Sequence, residues 1–176
     1  MKGLFWGFVL VSLNYNLTLP TGGMLNLLPP WVGFIILFIK AGKLEEESYL
    51  FSKTKPWSVI LGVYSLILWV TAALNIQTGI IGWIFSMASI AAQVYMLWLF
   101  IVAIRDVERN RDRDLGCKRL RRGWVAVLIC SVIAGLSSLI PAIAPPALMA
   151  NTIAIVVFMV IFYQTCDAYR IMTIAD

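Results

Sequence analysis

Residues 105–123, RDVERNRDRDLGCKRLRRG, hold eight of the chain's 14 Lys and Arg and four of its nine Asp and Glu, between two long apolar runs. Charge at that density is excluded from hydrocarbon, where one Arg, Lys or Asp at the centre of a spanning helix costs roughly 2.5–3.5 kcal/mol. The stretch therefore has to lie outside a bilayer that its neighbours cross. Its excess of Arg and Lys assigns it to the cytoplasmic side. Every other segment takes its direction from this one.

Composition enters the argument as a bound on what else the chain holds. Of 176 residues, 61% are hydrophobic and 13% charged, where soluble domains have about 45–50% and about 25%. A spanning helix takes about 20 apolar residues, so the length fits six spans with short loops and leaves no room for a soluble domain. The expected fold class is all-α integral membrane, one domain over 1–176: a six-transmembrane-helix bundle with N-terminus and C-terminus cytoplasmic. The spans are expected at about 3–19, 31–44, 57–76, 80–104, 124–140 and 150–166, with cytoplasmic loops at 45–56 and 105–123. In this arrangement the outer loops carry no Lys, Arg, Asp or Glu, a sharper asymmetry than the ordinary positive-inside bias. The expected location is a cell membrane, multi-pass, and specifically the bacterial cytoplasmic membrane. The net charge of +5 then reflects that bias. Nucleic acid is not an expected partner, because no aromatic or glycine-rich readout accompanies the basic run.

Local signals set the expected boundaries. Lys2 and the run GLFWGFVLVSL have the look of a signal peptide, but no small-x-small cleavage site follows, so the run is read as a retained first span. Pro29 and Pro30 suit the first turn of the second helix, which is expected to continue through KAGKLEEESYLF. The pairs Asp106/Arg109, Arg105/Glu108 and Glu108/Arg111 sit at helical i,i+3 spacing. They predict that the fourth helix runs on to Leu115, with Gly116 as its stop, for a length of about 54 Å. PAIAPPALMAN is expected to be a link and CDAYRIMTIAD a polar tail. The triplets at Leu37–Ile39, Leu99–Ile101 and Ile161–Tyr163 recur every 62 residues, which raises the question of three repeated hairpins.

The segment from LLPPWVGFIILFIKAGKLEEES through KPW, about residues 22–57, resembles a family of small, uncharacterised multi-pass membrane proteins of Gram-positive anaerobes. The matching positions are Leu27, Leu28, Pro29, Gly33, Phe34, Leu44, Glu45 and Ser48. Pro30 departs from the acidic residue expected after the first proline. The resemblance implies a multi-pass membrane protein and no known activity.

The chemistry available is narrow. The chain has no histidine, which removes the commonest general base and metal ligand. It has no HExxH, GxSxG or P-loop, and Cys117, Cys130 and Cys166 form no CxxC pair. No enzyme, metal or cofactor is expected. Lys40, Arg105 and Asp167 fall at cytoplasmic span ends, which argues against ion-coupled transport, since moving ions are usually compensated by charges within the bilayer. The uncharged polar residues carry the sharper reading. Asn14, Asn16, Asn75 and Gln93 are the candidate solute-binding residues, with Tyr15, Trp31 and Trp83 beside them. Gln93 stands out because a buried, unsatisfied amide is costly; the alternative for each is an interhelical hydrogen bond. Small residues four apart, Gly3/Gly7, Ala88/Ala92, Ser131/Gly135 and Ala134/Ser138, permit close helix approach, either internally or against a partner.

Lys118, Arg119, Arg121 and Arg122, just before Trp124, are the candidate lipid- or partner-binding residues, suited to anionic headgroups or to a membrane or cytoplasmic protein. Two functions follow. The first is a small transport-type subunit that binds or passes a neutral or zwitterionic solute without its own energy-coupling machinery; it predicts a polar cavity between spans one, three and four, open outward. The second is a non-transporting interaction or scaffold subunit that docks a partner through its charged loops. It predicts a closed bundle.

Overall fold

The computed structural model describes residues 1–12, 16–18, 24–26, 29–74, 79–137 and 143–175, with the backbone alone at 16–18, 24–26, 80, 81, 83, 86 and 173–175. Helices α1 (Lys2–Ser12), α2 (Pro30–Lys43), α3 (Thr54–Ala73), α4 (Gly79–Asn110), α5 (Cys117–Ser137) and α6 (Ala144–Ala175) follow in order. Between α1 and α2, strands β1 (Asn16–Thr18) and β2 (Met24–Asn26) pair antiparallel, Leu17 opposite Leu25. Among the described residues four helices, α3 to α6, are long and apolar enough to cross a membrane. Helices α1 and α2, of 11 and 14 residues, reach only about 16 and 21 Å.

The first helix therefore ends at Ser12, where a span to residue 19 was expected. Asn and Thr, which fill this part of the sequence, compete with helical hydrogen bonds or stiffen against them, and Asn16–Thr18 pair as a strand instead. The second helix also stops, at Lys43, rather than running through the acidic segment. Ser48 ends that possibility: its hydroxyl accepts from the Leu50 amide at 3.2 Å, capping a 3₁₀ turn at Tyr49–Phe51, and donates to the Asp106 carboxylate at 2.6 Å.

The charged segment is more helical at its end and less so in its middle than its i,i+3 pairs suggested. Helix α4 stops at Asn110, and Asp112 takes a left-handed φ of 49°. Glu108 turns its carboxylate onto the amides of Leu115 and Cys117, each at 3.1 Å. Gly116, at φ 78°, does not end α4; its carbonyl accepts from the amides of Arg119 and Leu120 at the start of α5. The four basic residues before Trp124 thus lie on the first turns of a helix, next to its positive dipole end, which the Glu108 carboxylate offsets. Helix α6 begins at Ala144 with Pro145 and Pro146 in its first turn, where their missing N–H groups cost little, and it takes in both the expected link and the expected tail.

The helices pack in chain order as a ring, each against the next, and α6 closes it against α1. Helices α1 and α2 approach most closely at Gly7 and Gly33. A Cβ on Gly33 would stand 2.6 Å from the Gly7 carbonyl oxygen, so glycine there is a requirement of the packing. At one end of the ring lie the charged residues among those described, several of them paired. Arg111 binds Glu47 with two hydrogen bonds of 2.7 and 3.0 Å, Lys55 meets Glu45 at 2.6 Å, and Lys2 meets Asp167 at 3.6 Å. In the half of the ring next to this end, Phe8 meets Phe100 and Phe162 edge-on at 5.1 and 5.2 Å. Phe51, Ile104, Val107 and Leu120 are fully buried around them. Outside the ring, aliphatic side chains such as Ile60, Ile67, Ile129, Val132, Ile153 and Val160 are about half exposed or more, the surface expected of helices in lipid.

Candidate functional site

On the long helices, burial stops at the level of Leu61, Val94, Val127 and Phe158; among the described residues beyond it, Ser137 and Ala147 alone are buried. The middle of the ring is open there. A cavity of about 610 Å³ is lined by all six helices. Phe34 and Phe158 belong to its floor, on the side of the packed aromatic cluster.

Polar groups converge from five helices, Ser12 from α1 among them. Tyr64 and Ser65 come from α3, Ser89 and Gln93 from α4, Ser131 from α5 and Asn151 from α6. The Gln93 amide donates to the Ser89 hydroxyl at 3.1 Å, and the Ser131 hydroxyl donates to the Asn151 carbonyl at 3.0 Å. The hydroxyls of Tyr64 and Ser65 are buried and have no hydrogen-bond partner among the described residues. A buried polar group left in that state costs about 1–3 kcal/mol, so both are open to a partner that the described residues do not supply. The Gln93 amide likewise uses in its bond to Ser89 only one of the four positions an amide offers. No Lys, Arg, Asp or Glu is among the lining residues. The arrangement can bind hydroxyl, carbonyl or amide groups.

Of the four residues read from the sequence as solute-binding, Gln93 lies on the cavity wall. Asn14 and Asn75 fall outside the described residues, and Asn16 is on β1 opposite Asn26. The cavity's walls come from all six helices rather than from the first, third and fourth. Sequence reasoning missed Tyr64 and Ser65, a Tyr–Ser pair in the middle of an apolar run, and the pairing of Ser131 with Asn151.

The basic residues form a separate feature. Lys118, Arg119, Arg121 and Arg122 are all exposed at the start of α5, at the charged end. The Arg121 guanidinium stands 5.7 Å above the Trp98 ring, Trp98 packs on Trp124 at 4.8 Å, and the Trp124 indole N–H donates to the Val94 carbonyl at 2.9 Å. Arg121 is thus held by a cation–π contact on an anchored pair of indoles. Four acids at this end are engaged, Glu45 with Lys55, Glu47 with Arg111, Asp106 with Ser48 and Glu108 with two amides, while Glu46, Asp112 and Asp114 are exposed. Among the described residues the three cysteines are free thiols, and no cluster of three metal-ligating side chains occurs. The chain matches no protein-family profile, no curated protein and no solved structure.

Proposed function

We propose that this chain is a six-crossing membrane protein of a bacterial cytoplasmic membrane, with both termini and both charged segments cytoplasmic. In this reading it is a small transport-type subunit that binds a neutral solute in its central cavity and has no energy-coupling machinery of its own. The topology is supported by the placement of all 14 Lys and Arg toward one end, the strongest form of the positive-inside asymmetry. The observation that carries the binding reading is the cavity itself, with the unpartnered hydroxyls of Tyr64 and Ser65 facing the Gln93 amide across a wall without charge. A zwitterionic solute is less well served, because nothing in the lining balances its charges. The packed Phe8, Phe100 and Phe162 contacts block the way to the charged end. Passage through the bundle therefore requires that cluster to open, and binding does not.

Native mass spectrometry of the chain extracted gently from its own membrane tests this. A solute bound one to one, and lost in Tyr64→Phe combined with Gln93→Leu, is the expected result. A stoichiometric complex with another polypeptide and no solute overturns it in favour of the interaction subunit. The exposed cluster of Lys118, Arg119, Arg121 and Arg122 is assigned to anionic headgroups, each cation attracting them by about 1 kcal/mol. That assignment is favoured over protein docking because the four cations are exposed together on the first turns of α5, beside the packed Trp98–Trp124 pair, an arrangement suited to the membrane interface.

A further inference from the structure

A second hollow lies on the outside of the ring, along the seam between α4 and α5. This groove of about 520 Å³ runs from Tyr95 and Trp124, toward the charged end, to Leu136, with Ala91, Leu128 and Val132 between them. Its walls are almost wholly apolar. Met87, Ile90, Val94, Ser131 and Gly135 line both the groove and the central cavity, so one layer of side chains separates the cavity from the lipid face.

That layer is thinnest at Gly135, which has no side chain. A Cβ built there would stand 3.1 Å from the Met87 sulfur. At this level the seam is closed by an unbranched thioether with three rotatable bonds, the side chain that repacks most readily. Ser131 sits in the same seam and reaches inward to Asn151. The seam between α5 and α6 is different: Gly123 lies against the rings and branches of Phe158 and Ile161, each 3.3 Å from a Cβ placed on it.

We infer that the solute of the central cavity is a single-chain amphiphile dissolved in the membrane, with an uncharged hydroxyl or amide head, which enters laterally between α4 and α5 past Met87 and keeps its chain in the outer groove. The inference rests on the solute-binding reading above and names its substrate class. The head is set by the lining: Tyr64, Ser65, Gln93 and Asn151 offer hydrogen bonds, and no cation is present to hold a phosphate or carboxylate. The chain is set by the groove, which is continuous with the cavity wall and apolar along its length. Moving an alkyl chain from lipid into that groove gains little, since lipid tails are as apolar as the groove. Selectivity therefore resides in the head, which gives the two orphan hydroxyls their partners, and the groove determines the route.

The test uses the full chain in phosphatidylcholine vesicles with two photoactivatable probes, a hexadecanol carrying a diazirine near its hydroxyl and a water-soluble butanol analogue carrying the same group. Labelled peptides are mapped by mass spectrometry. In the unaltered chain the hexadecanol probe is expected to label peptides of the cavity wall that contain Gln93 and Asn151. Ala91→Trp, in the groove and not on the cavity wall, is expected to reduce that label at least tenfold while the butanol label stays. Equal hexadecanol labelling with and without the tryptophan overturns the lateral route and leaves the cavity reading standing. Cavity labelling by butanol but not by hexadecanol in the unaltered chain also overturns it. Absence of cavity labelling by both probes overturns the cavity reading as well. If Ala91→Trp loses both labels, the bundle itself has been altered, and the same comparison is read in Ala91→Leu.

Discussion

The two halves of the ring are built from similar residues and do opposite things with them. In the half next to the charged end, Phe8, Phe34, Phe100, Phe158 and Phe162 are each no more than 2% exposed, and the rings of Phe8, Phe100, Phe158 and Phe162 meet edge to face or stacked. In the other half the helices are as apolar, yet their inner faces carry Tyr64, Ser65, Gln93, Ser131 and Asn151 and enclose a void. Within a membrane, apolar side chains gain little by leaving lipid for a protein interior, and helix association relies on close packing and hydrogen bonds. The first half holds the bundle together by packing. The second is held apart by polar groups that are only partly satisfied, and it depends on its neighbour for rigidity.

Substitutions that break this division have effects of graded size. The largest is expected for Phe100→Ala, which removes the ring between Phe8 and Phe51 and should cost about 3–5 kcal/mol, seen as a large fall in thermal midpoint in detergent. Leu148→Ala, in the open half and 55% exposed, should leave the midpoint nearly unchanged. Gly33→Ala comes next, since a methyl there meets the Gly7 carbonyl oxygen; overpacking of this kind costs about 1–3 kcal/mol, and the same measurement applies. Glu108→Ala removes the acceptor of two amides at the start of α5 and should cost about 1.5 kcal/mol. Faster hydrogen exchange at Leu115 and Cys117, with the aromatic half unaffected, is the check. The smallest effect sharpens the contrast. Tyr64→Phe with Ser65→Ala deletes two buried hydroxyls that lack partners, so stability in the absence of solute should stay level or rise by about 1 kcal/mol. A fall of that size would mean those hydroxyls are already satisfied.

What could be read from the sequence follows the same division. The segregation of charge gave the membrane class and the order of helices, because the cost of charge in hydrocarbon is large and acts through position alone. Helix ends were harder to read, because they depend on contacts between residues far apart. Ser48 bonds Asp106 across 58 positions, and Glu108 caps the next helix rather than extending its own. Gly3, Gly7, Ser131 and Gly135 could be recognised as close-approach residues, but their partners, Lys40, Leu37, Asn151 and Met87, follow only from the ring. Gln93 was visible because a lone amide in an apolar run is conspicuous, whereas the hydroxyls of Tyr64 and Ser65 were not, since a hydroxyl is cheap enough to occur in any span. The recurring triplets are not equivalent in the fold: Phe100 and Phe162 are buried and Phe38 is 40% exposed. The motif residues Gly33, Phe34 and Ser48 are packing and capping residues of the α1–α2 side, which accounts for a sequence pattern there without any activity attached to it.

The shortness of α1 and α2 bears on the membrane as well as on the protein. Two helices of about 16 and 21 Å stand beside others that match or exceed the ~30 Å of an average hydrocarbon layer. The β1–β2 pair above them is a sheet of two strands, whose outer backbone groups find no partners among lipid tails. Across a bilayer, headgroups and water are therefore expected to be drawn down on that flank, while the longer α4–α5 flank matches the full depth. Lipids around the protein meet a surface of unequal height, and thinning a bilayer costs fractions of a kcal/mol per ångström. The chain should accordingly concentrate where the membrane is already thin, and its short flank should attract lipids with short acyl chains.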